Sequence, residues 1–278
     1  RTACFGAIIK PWFWLLTLSE NCRIFQEKTY PDIIKEVFDE LGFSDYEDQL
    51  TGSYKPQEYV VQYNESDFNF VSRIMEQEGI YYYFSHTNGK HSMVLADDSS
   101  VQPDIGEIPF YEKEESSNLV DVEGIVKWEN YRKIRTGGVS LGDFDFTTPS
   151  KSLSTATADP KTDSLASLQK FTYPGKYTEQ AKGKSYTKIL MEKENVHYDQ
   201  KYCEGNFRTL SAGSQFKLID HHRDDQNDNY LVVKFSCVLK AREYFSTSTG
   251  KSEELFACTF TTIPAKVAFR PQYLAVKP

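Results

Sequence analysis

The chain is short of cysteine, positive charge and long apolar runs, and each shortage removes a class of protein. Its 278 residues hold five cysteines, Cys4, Cys22, Cys203, Cys237 and Cys258. The number is odd and no C-x-x-C occurs, so there is neither a disulfide framework nor a zinc-site spacing, and free thiols in a reducing cytosol are expected. The formal net charge is −8. An acidic chain lacks the basic footprint that phosphate backbones require, so nucleic acid is not an expected partner. The longest apolar run, PWFWLLTL (11–18), falls far short of the roughly 20 residues that span a bilayer. No signal peptide is visible, although the chain opens at Arg1-Thr2 without an initiator Met and a preceding segment is expected. The glycines form neither G-x-G-x-x-G nor G-x-x-x-x-G-K-S/T, no G-x-S-x-G or H-E-x-x-H occurs, and no short repeat is present.

What is abundant is aromatic. Phe, Tyr and Trp make up 14% of the residues, with 18 Tyr and 19 Phe, and hydrophobic residues make up 39%. This is a globular composition weighted toward strands, with enough chain for about one to three domains. Residues 4–25 read as two strands around Lys10-Pro11, with Trp12 and Trp14 sharing a face. In TYPDIIKEVFDELG, Thr29 can cap a helix, Ile33, Ile34, Val37, Phe38 and Leu41 repeat at helical spacing, and Gly42 stops it. Glu58 to Tyr63 alternates as a strand. Asn64 or Ser66 then caps a second helix that runs to Glu78 and ends at Gly79. IYYYFSH and HSMVLAD predict a hairpin about Asn88-Gly89. Residues 97–117 and 147–170 read as loops. From Leu119 strands dominate, in 120–134, GVSLGDFDF, NFRTLSAGSQFKLI, NYLVVKFSCVL and ELFACTFTTI. A type II turn centred on Pro174-Gly175 and a helix over 178–195, weakened by Gly183, interrupt them. This spacing predicts a barrel or sandwich with a helical insertion.

Three clusters carry chemistry-bearing side chains. In VVQYNESDFNFVSRIMEQEGIYYYF (60–84), the acids Glu65, Asp67, Glu76 and Glu78 lie beside Arg73 in an apolar run. On a helical wheel Phe70, Val71, Ile74 and Met75 share one face, while Arg73 and Glu76 fall opposite and are expected to face solvent or a neighbouring surface, their i, i+3 spacing worth only a few tenths of a kcal/mol. Asp67 and Glu78 land in the middle of the apolar face. Asp67 sits in the first turn, where the helix dipole favours it. Glu78 sits in the last, where a carboxylate needs a cation or N–H donor; Arg23 and an arginine of another subunit are the candidates. Eleven residues at 1.5 Å each separate their backbones by about 16 Å, beyond the roughly 5–9.5 Å of paired glycosidase carboxylates. Asp143 and Asp145 in GDFDF, at i, i+2, are expected on the polar face of a strand. DHHRDD (220–225) reads as a polar turn, with His221 and His222 on opposite faces if the chain is extended.

At this point the residues carry a family resemblance. NCRIFQEKTYPDIIKEVFDELG and EYVVQYNESDFNFVSRIMEQEGIYYYFSH closely resemble the hub region of VgrG, the spike protein of type VI secretion systems, whose fold contractile-phage tail hub proteins share. The family pattern, an (R)IFQ segment, an isoleucine-rich helix and then QYxESDxxFxxRLxExEGIxYxFxH, is matched by Arg23, Ile24, Phe25, Gln26, Gln62, Tyr63, Glu65, Ser66, Asp67, Phe68, Phe70, Arg73, Glu76, Glu78, Gly79, Ile80, Tyr82, Phe84 and His86. Ile74 replaces the usual Leu, and Gln57 stands where Arg is common. DFDF, TYPGKY, LSAGSQFKL, NYLVVKFS and FTTIPAKVAFRP match more loosely.

The resemblance implies a mainly β fold with α+β segments, a phage tail hub with two β-barrel domains, the first incomplete, plus helical insertions. Residues 1–25 would be the remainder of the first barrel and 26–117 an α+β domain with two helices and a hairpin. Residues 118–270 would form the second barrel, with an insertion at about 147–200, and 271–278 a linker toward an OB-like domain and β-helical spike. The family's first barrel is expected to begin before Arg1. The implied role is a homotrimeric symmetry adaptor between the hexameric inner tube with its baseplate and a trimeric puncturing spike. It is non-enzymatic and without cofactor or metal, with a tip protein and effectors joined through parts beyond this chain. Such a protein is assembled in the bacterial cytoplasm and then expelled by the contractile machine. The alternatives are a hydrolase using Asp143 and Asp145 or the His221/His222 turn, and a carbohydrate-binding β module.

Overall fold

A computed structural model describes residues 6–112, 123–161, 167–240 and 255–275. The chain divides into two compact units, 1–98 with 270–278, and 99–269. Residues 1–5, the strand start at 120–122 and the STSTGKSE connector lie outside the described residues.

The first unit runs through a 3₁₀ helix (Trp12–Leu18), β1 (Glu20–Lys28), α1 (Tyr30–Glu40), β2 (Tyr46–Gln49), β3 (Gln57–Ser66), α2 (Asp67–Glu78), β4 (Tyr81–Thr87) and β5 (Lys90–Ala96). The 3₁₀ helix corrects the strand expected there. Phe13 and Leu16 are fully buried while Trp14 and Leu15 turn outward, so three-residue winding, not alternation, drives this aromatic run into the core. Trp12 packs on Phe38 and Phe43, ring centroids 5.1 and 4.8 Å away. As the capping signals predict, Thr29 Oγ1 accepts from Asp32 N at 3.2 Å and Ser66 Oγ from Asn69 N at 3.1 Å. Ile33, Ile34, Val37 and Phe38 of α1 and Phe70, Val71, Ile74 and Met75 of α2 share one core. β1 and β3 form an antiparallel ribbon with Phe25 opposite Val60 on its inner face. Its outer face carries Ile24, Tyr59, Val61 and Tyr63, all exposed. β4 and β5 are the expected hairpin, with Gly89 at φ +77°.

The second unit holds β6 (Asp104–Pro109), β7 (Ile125–Arg132), β8 (Gly138–Leu141), β9 (Thr155–Ala158), β10 (Gln169–Thr172), α3 (Gln180–Val196), β11 (Asp199–Gly205), β12 (Gln215–Ile219), β13 (Asn229–Lys240) and β14 (Leu255–Pro264). Six strands, in the order β6-β12-β13-β14-β11-β7, make one curled sheet. Its edges meet where Phe110 bridges Ile125 and Tyr111 N donates to Ile125 O at 2.8 Å, so the sheet closes on itself at that corner. Ile108, Ile125, Phe216, Leu218 and Phe260 fill its interior.

A smaller sheet, β10-β8-β9, forms a core with α3 through Leu141, Leu153, Tyr177, Tyr186 and Ile189. Gly183 is required inside α3, because a Cβ there would lie 2.4 Å from the Tyr177 ring. Four local expectations are corrected. The 97–117 segment contains β6, 147–170 contains β9, and the GVSLGDFDF strand stops at Leu141. The Pro174-Gly175 turn is not type II: Lys176, not Gly175, takes the positive φ, and a Cβ at Gly175 would meet the Tyr177 ring at 2.3 Å.

Candidate functional site

The family-pattern residues converge on α2. Its first residue, Asp67, is 1% exposed. The carboxylate accepts from Arg23 Nη2, from Ser19 Oγ and from Gln62 Nε2 at 2.8 Å. Gln62, paired with Arg23 across the β1–β3 ribbon, accepts from Arg23 Nε at 2.9 Å and donates to Glu65 O at 3.0 Å. Arg23 also reaches Glu40 of α1. A buried acid is thereby tied to two strands and, through the same arginine, to a second helix.

Arg73 turns back one helical turn and more. Its Nε and Nη2 bind Glu65 at 2.9 and 2.6 Å, and Nη2 also donates to Val61 O at 2.6 Å. Of the two surroundings expected for this helix face, Arg73 thus meets the neighbouring surface and not solvent. Glu76 is only 7% exposed, and its Oε1 accepts from the backbone N–H groups of Leu274 and Ala275 at 3.0 and 3.2 Å. Arg270, at the start of that segment, donates to Gly79 O at 3.0 Å and to Asp97 O. Gly79 caps α2 in the left-handed region, at φ +75°.

Beside this segment, Asp97 accepts from Thr51 N, Thr51 Oγ1, Gly52 N and Tyr54 Oη at 2.7–2.9 Å. Burial pushes its carboxyl up, but these donors together outweigh burial and hold it below the ordinary carboxylate value. Burial raises the Tyr54 phenol, with Asp97 and Glu78 adding to the rise and Arg270 opposing it. Glu78 and Arg270 thus act on the same ring. Arg23, the candidate partner of Glu78 from sequence, is engaged by Asp67 instead. Tyr273 is pushed up to about 12 by burial, then by Glu76 and Glu78.

The aromatic family positions pack around these acids. Phe25 stacks on Phe70 at 5.5 Å, and Tyr82 meets Phe13 at 4.9 Å and Phe84 at 6.0 Å. Gln26 and Tyr63 stand apart on the exposed face of the ribbon. Sequence reasoning missed Ser19, Asp97 and Arg270, and no local spacing marks them.

The other two clusters are local. Asp143 and Asp145 lie in a loop after β8, not on a strand face. Asp143 accepts from Phe144 N at 2.7 Å and Tyr177 N at 3.2 Å. Asp145 accepts from the Thr147 and Thr148 hydroxyls at 2.6 and 2.7 Å, which lower its carboxyl to about 2. His221 and His222 do not oppose one another. Asp220 takes a positive φ, and the two rings stack at 4.3 Å. His221 is buried against Phe110 at 4.6 Å, and burial lowers its imidazole. Among the described residues no group of three or more His, Cys, Asp or Glu is placed to hold a metal. The α2 cluster joins segments distant in sequence, with Glu65, Asp67 and Glu76 each held by donors from the same unit.

Solved proteins share this architecture. The E. coli c3393 protein, a component of the type VI secretion system, matches with a TM-score of 0.65 at 18% identity, over 96% of this chain and 57% of that one. The prophage MuSo2 43 kDa tail protein of Shewanella oneidensis matches with a TM-score of 0.60 at 10% identity, over 91% and 72%. The fold is therefore of the phage tail hub class. Within that class the family is shown by sequence: the phage tail baseplate hub (GPD) family matches residues 1–241, and the chain belongs to it. It is 37% identical over 276 residues to the type VI secretion system spike protein VgrG1b of Pseudomonas aeruginosa, covering 97% of this chain and 36% of that protein. The chain spans little more than a third of the length of that curated relative.

Proposed function

We propose that this chain is the hub region of a type VI secretion spike, a homotrimeric symmetry adaptor between a hexameric inner tube with its baseplate and a trimeric spike. The observation that carries the reading is the likeness to a spike protein along nearly the whole chain. Two features support it. The acids of the family pattern serve as internal pins of the first unit, holding β1, β3 and segment 270–275 to α2. The outer face of the β1–β3 ribbon presents Ile24, Tyr59, Val61 and Tyr63, the kind of apolar surface that association covers. Glu78, 7% exposed, and Arg270 of the same chain both act on the Tyr54 ring. The role is structural and uses no cofactor or nucleic acid. The protein is assembled in the bacterial cytoplasm and expelled by the contractile machine, with tip protein and effectors joined through regions beyond this chain.

Light scattering on the purified protein tests the reading. A mass three times that of the chain is expected, reduced to a monomer by Ile24→Asp with Tyr63→Asp. A monomer at every concentration, for this chain and for a version extended through a following spike, overturns it.

A further inference from the structure

Two of the four described cysteines face each other across a strand pair. Cys237 of β13 lies directly opposite Cys258 of β14, and both are free thiols. The hydrogen-bonding ladder sets how close they stand. Ala265 N donates to Asn229 O at 2.9 Å, so Ala265 directs its backbone toward β13. β14 pairs without interruption on its own side with both neighbours; the register shift in the β13–β14 pair falls on β13, between Val232 and Lys234. Alternation along β14 then turns Ile263, Thr261, Thr259 and Ala257 toward β13, and Pro264, Thr262, Phe260 and Cys258 toward β11. Cys237 and Cys258 are therefore a non-hydrogen-bonded pair, the narrow kind, with Cα atoms about 4.5 Å apart and side chains at their closest. That separation lies within the roughly 4.4–6.8 Å range of disulfides.

The two thiols differ in access. Cys237 is exposed, whereas Cys258 is 2% exposed and its Sγ donates to Gly205 O at 3.3 Å. Burial pushes the Cys258 thiol up, and Cys237 adds to the rise. One thiol is open to a reagent, and the other waits beneath it.

We propose that Cys237 and Cys258 form a cross-strand dithiol that closes to a cystine when the protein meets a small-molecule disulfide, with Cys237 as the entry thiol and Cys258 as the resolving thiol. The Cys237 thiolate attacks one sulfur of glutathione disulfide. That S–S bond breaks, one glutathione thiolate leaves, and a mixed disulfide forms on Cys237. Cys258 gives its proton to solvent, attacks the Cys237 sulfur and displaces the second glutathione. Two protein thiols are oxidised and one disulfide is reduced to two thiols. The cystine closes residues 237–258 into a covalent loop, and it forms on passage from a reducing to an oxidising compartment.

The test incubates the purified protein with oxidised glutathione and maps its peptides without reduction. The expected product is a bridged peptide joining Cys237 to Cys258, two hydrogens lighter than its parts. Its melting temperature should rise by roughly 5–10 °C and return with dithiothreitol. Cys237→Ser abolishes the bridge and the rise. Cys258→Ser, or Cys258→Ala if the serine does not fold, stops at a glutathione adduct on Cys237. The proposal is overturned if the wild type also stops at that adduct, if both thiols stay free, or if Cys258 bridges to the neighbouring buried Cys203.

Discussion

Asp67 and Glu76 of the first unit and Asp143, Asp145 and Asp225 of the second are satisfied over very different sequence distances. In the first unit, Asp67 meets Arg23 across 44 positions, and Glu76 meets Leu274 and Ala275 across 198 and 199. In the second, Asp143 and Asp145 take nearly all their donors from one to three residues away, and Asp225 pairs with Arg223 two residues back. A carboxylate satisfied by its neighbours shapes a turn and leaves the rest of the fold indifferent. A buried carboxylate satisfied at long range holds elements together, because losing it strands a desolvated cation or N–H. Acid-rich stretches of similar composition therefore do different work.

The sharpest test is at Asp67. Asp67→Ala leaves Arg23 and Gln62 facing a cavity, and breaking a buried pair costs about 3–5 kcal/mol. Asp67→Asn keeps the shape but not the charge, and should cost less while remaining clearly destabilising. Urea unfolding of both variants, followed by Trp fluorescence, measures the loss. If Asp67→Ala unfolds at the wild-type midpoint, long-range pairing is not what holds the first unit together.

Glu76 comes next. Glu76→Ala removes the acceptor of two backbone N–H groups, a loss of about 1–3 kcal/mol. Hydrogen exchange should rise first at Leu274 and Ala275. Exchange that rises uniformly through α2, with those two amides unchanged, would show that Glu76 supports the helix and not the segment docked on it.

Acid separates the units more gently. The Asp97 carboxyl is depressed in the folded state, so its contribution is fully present above the ordinary value of 3.8 and is lost as pH falls through the lower folded value. Thr51, Gly52 and Tyr54 should loosen below about pH 4. Asp97→Asn should flatten this acid limb of the stability curve, measured by melting temperature between pH 3 and pH 7. An unchanged limb would assign acid sensitivity elsewhere.

The same contrast explains what the sequence made legible. Thr29, Ser66 and Asn88-Gly89 act on residues within four positions, so both helices of the first unit and the hairpin were readable, as was the buried apolar face of α2. The burial of Asp67 and Glu78 followed from helical phase alone. The winding of Trp12–Leu18 was not legible, because an aromatic run satisfies strand and helix periods equally until the core selects one. β11 was not, because two of its buried positions, the adjacent Gln200 and Lys201, are polar and break any apolar alternation. The partner of Glu76 lies in backbone N–H groups, which every residue except proline has and no motif announces.

The smallest expected effect is at Asp145, and it closes the comparison from the other side. Its carboxyl lies lower than that of most acids, at about 2, held there by the Thr147 and Thr148 hydroxyls. A low carboxyl of this kind can mark a functional site. Here the residue is only half-buried and its donors are two and three residues away. Asp145→Asn keeps an oxygen that can still accept from Thr147 N, which stands 2.9 Å away in the wild type. The turn has alternative donors in water, so the melting temperature at neutral pH should not change measurably. A difference should emerge only as pH falls from the ordinary carboxylate value toward 2, where the wild type loses its charge and the asparagine has none to lose. If Asp145→Asn lowers the midpoint as far as Asp67→Asn does, sequence distance is the wrong variable, and the depth of the carboxyl shift replaces it.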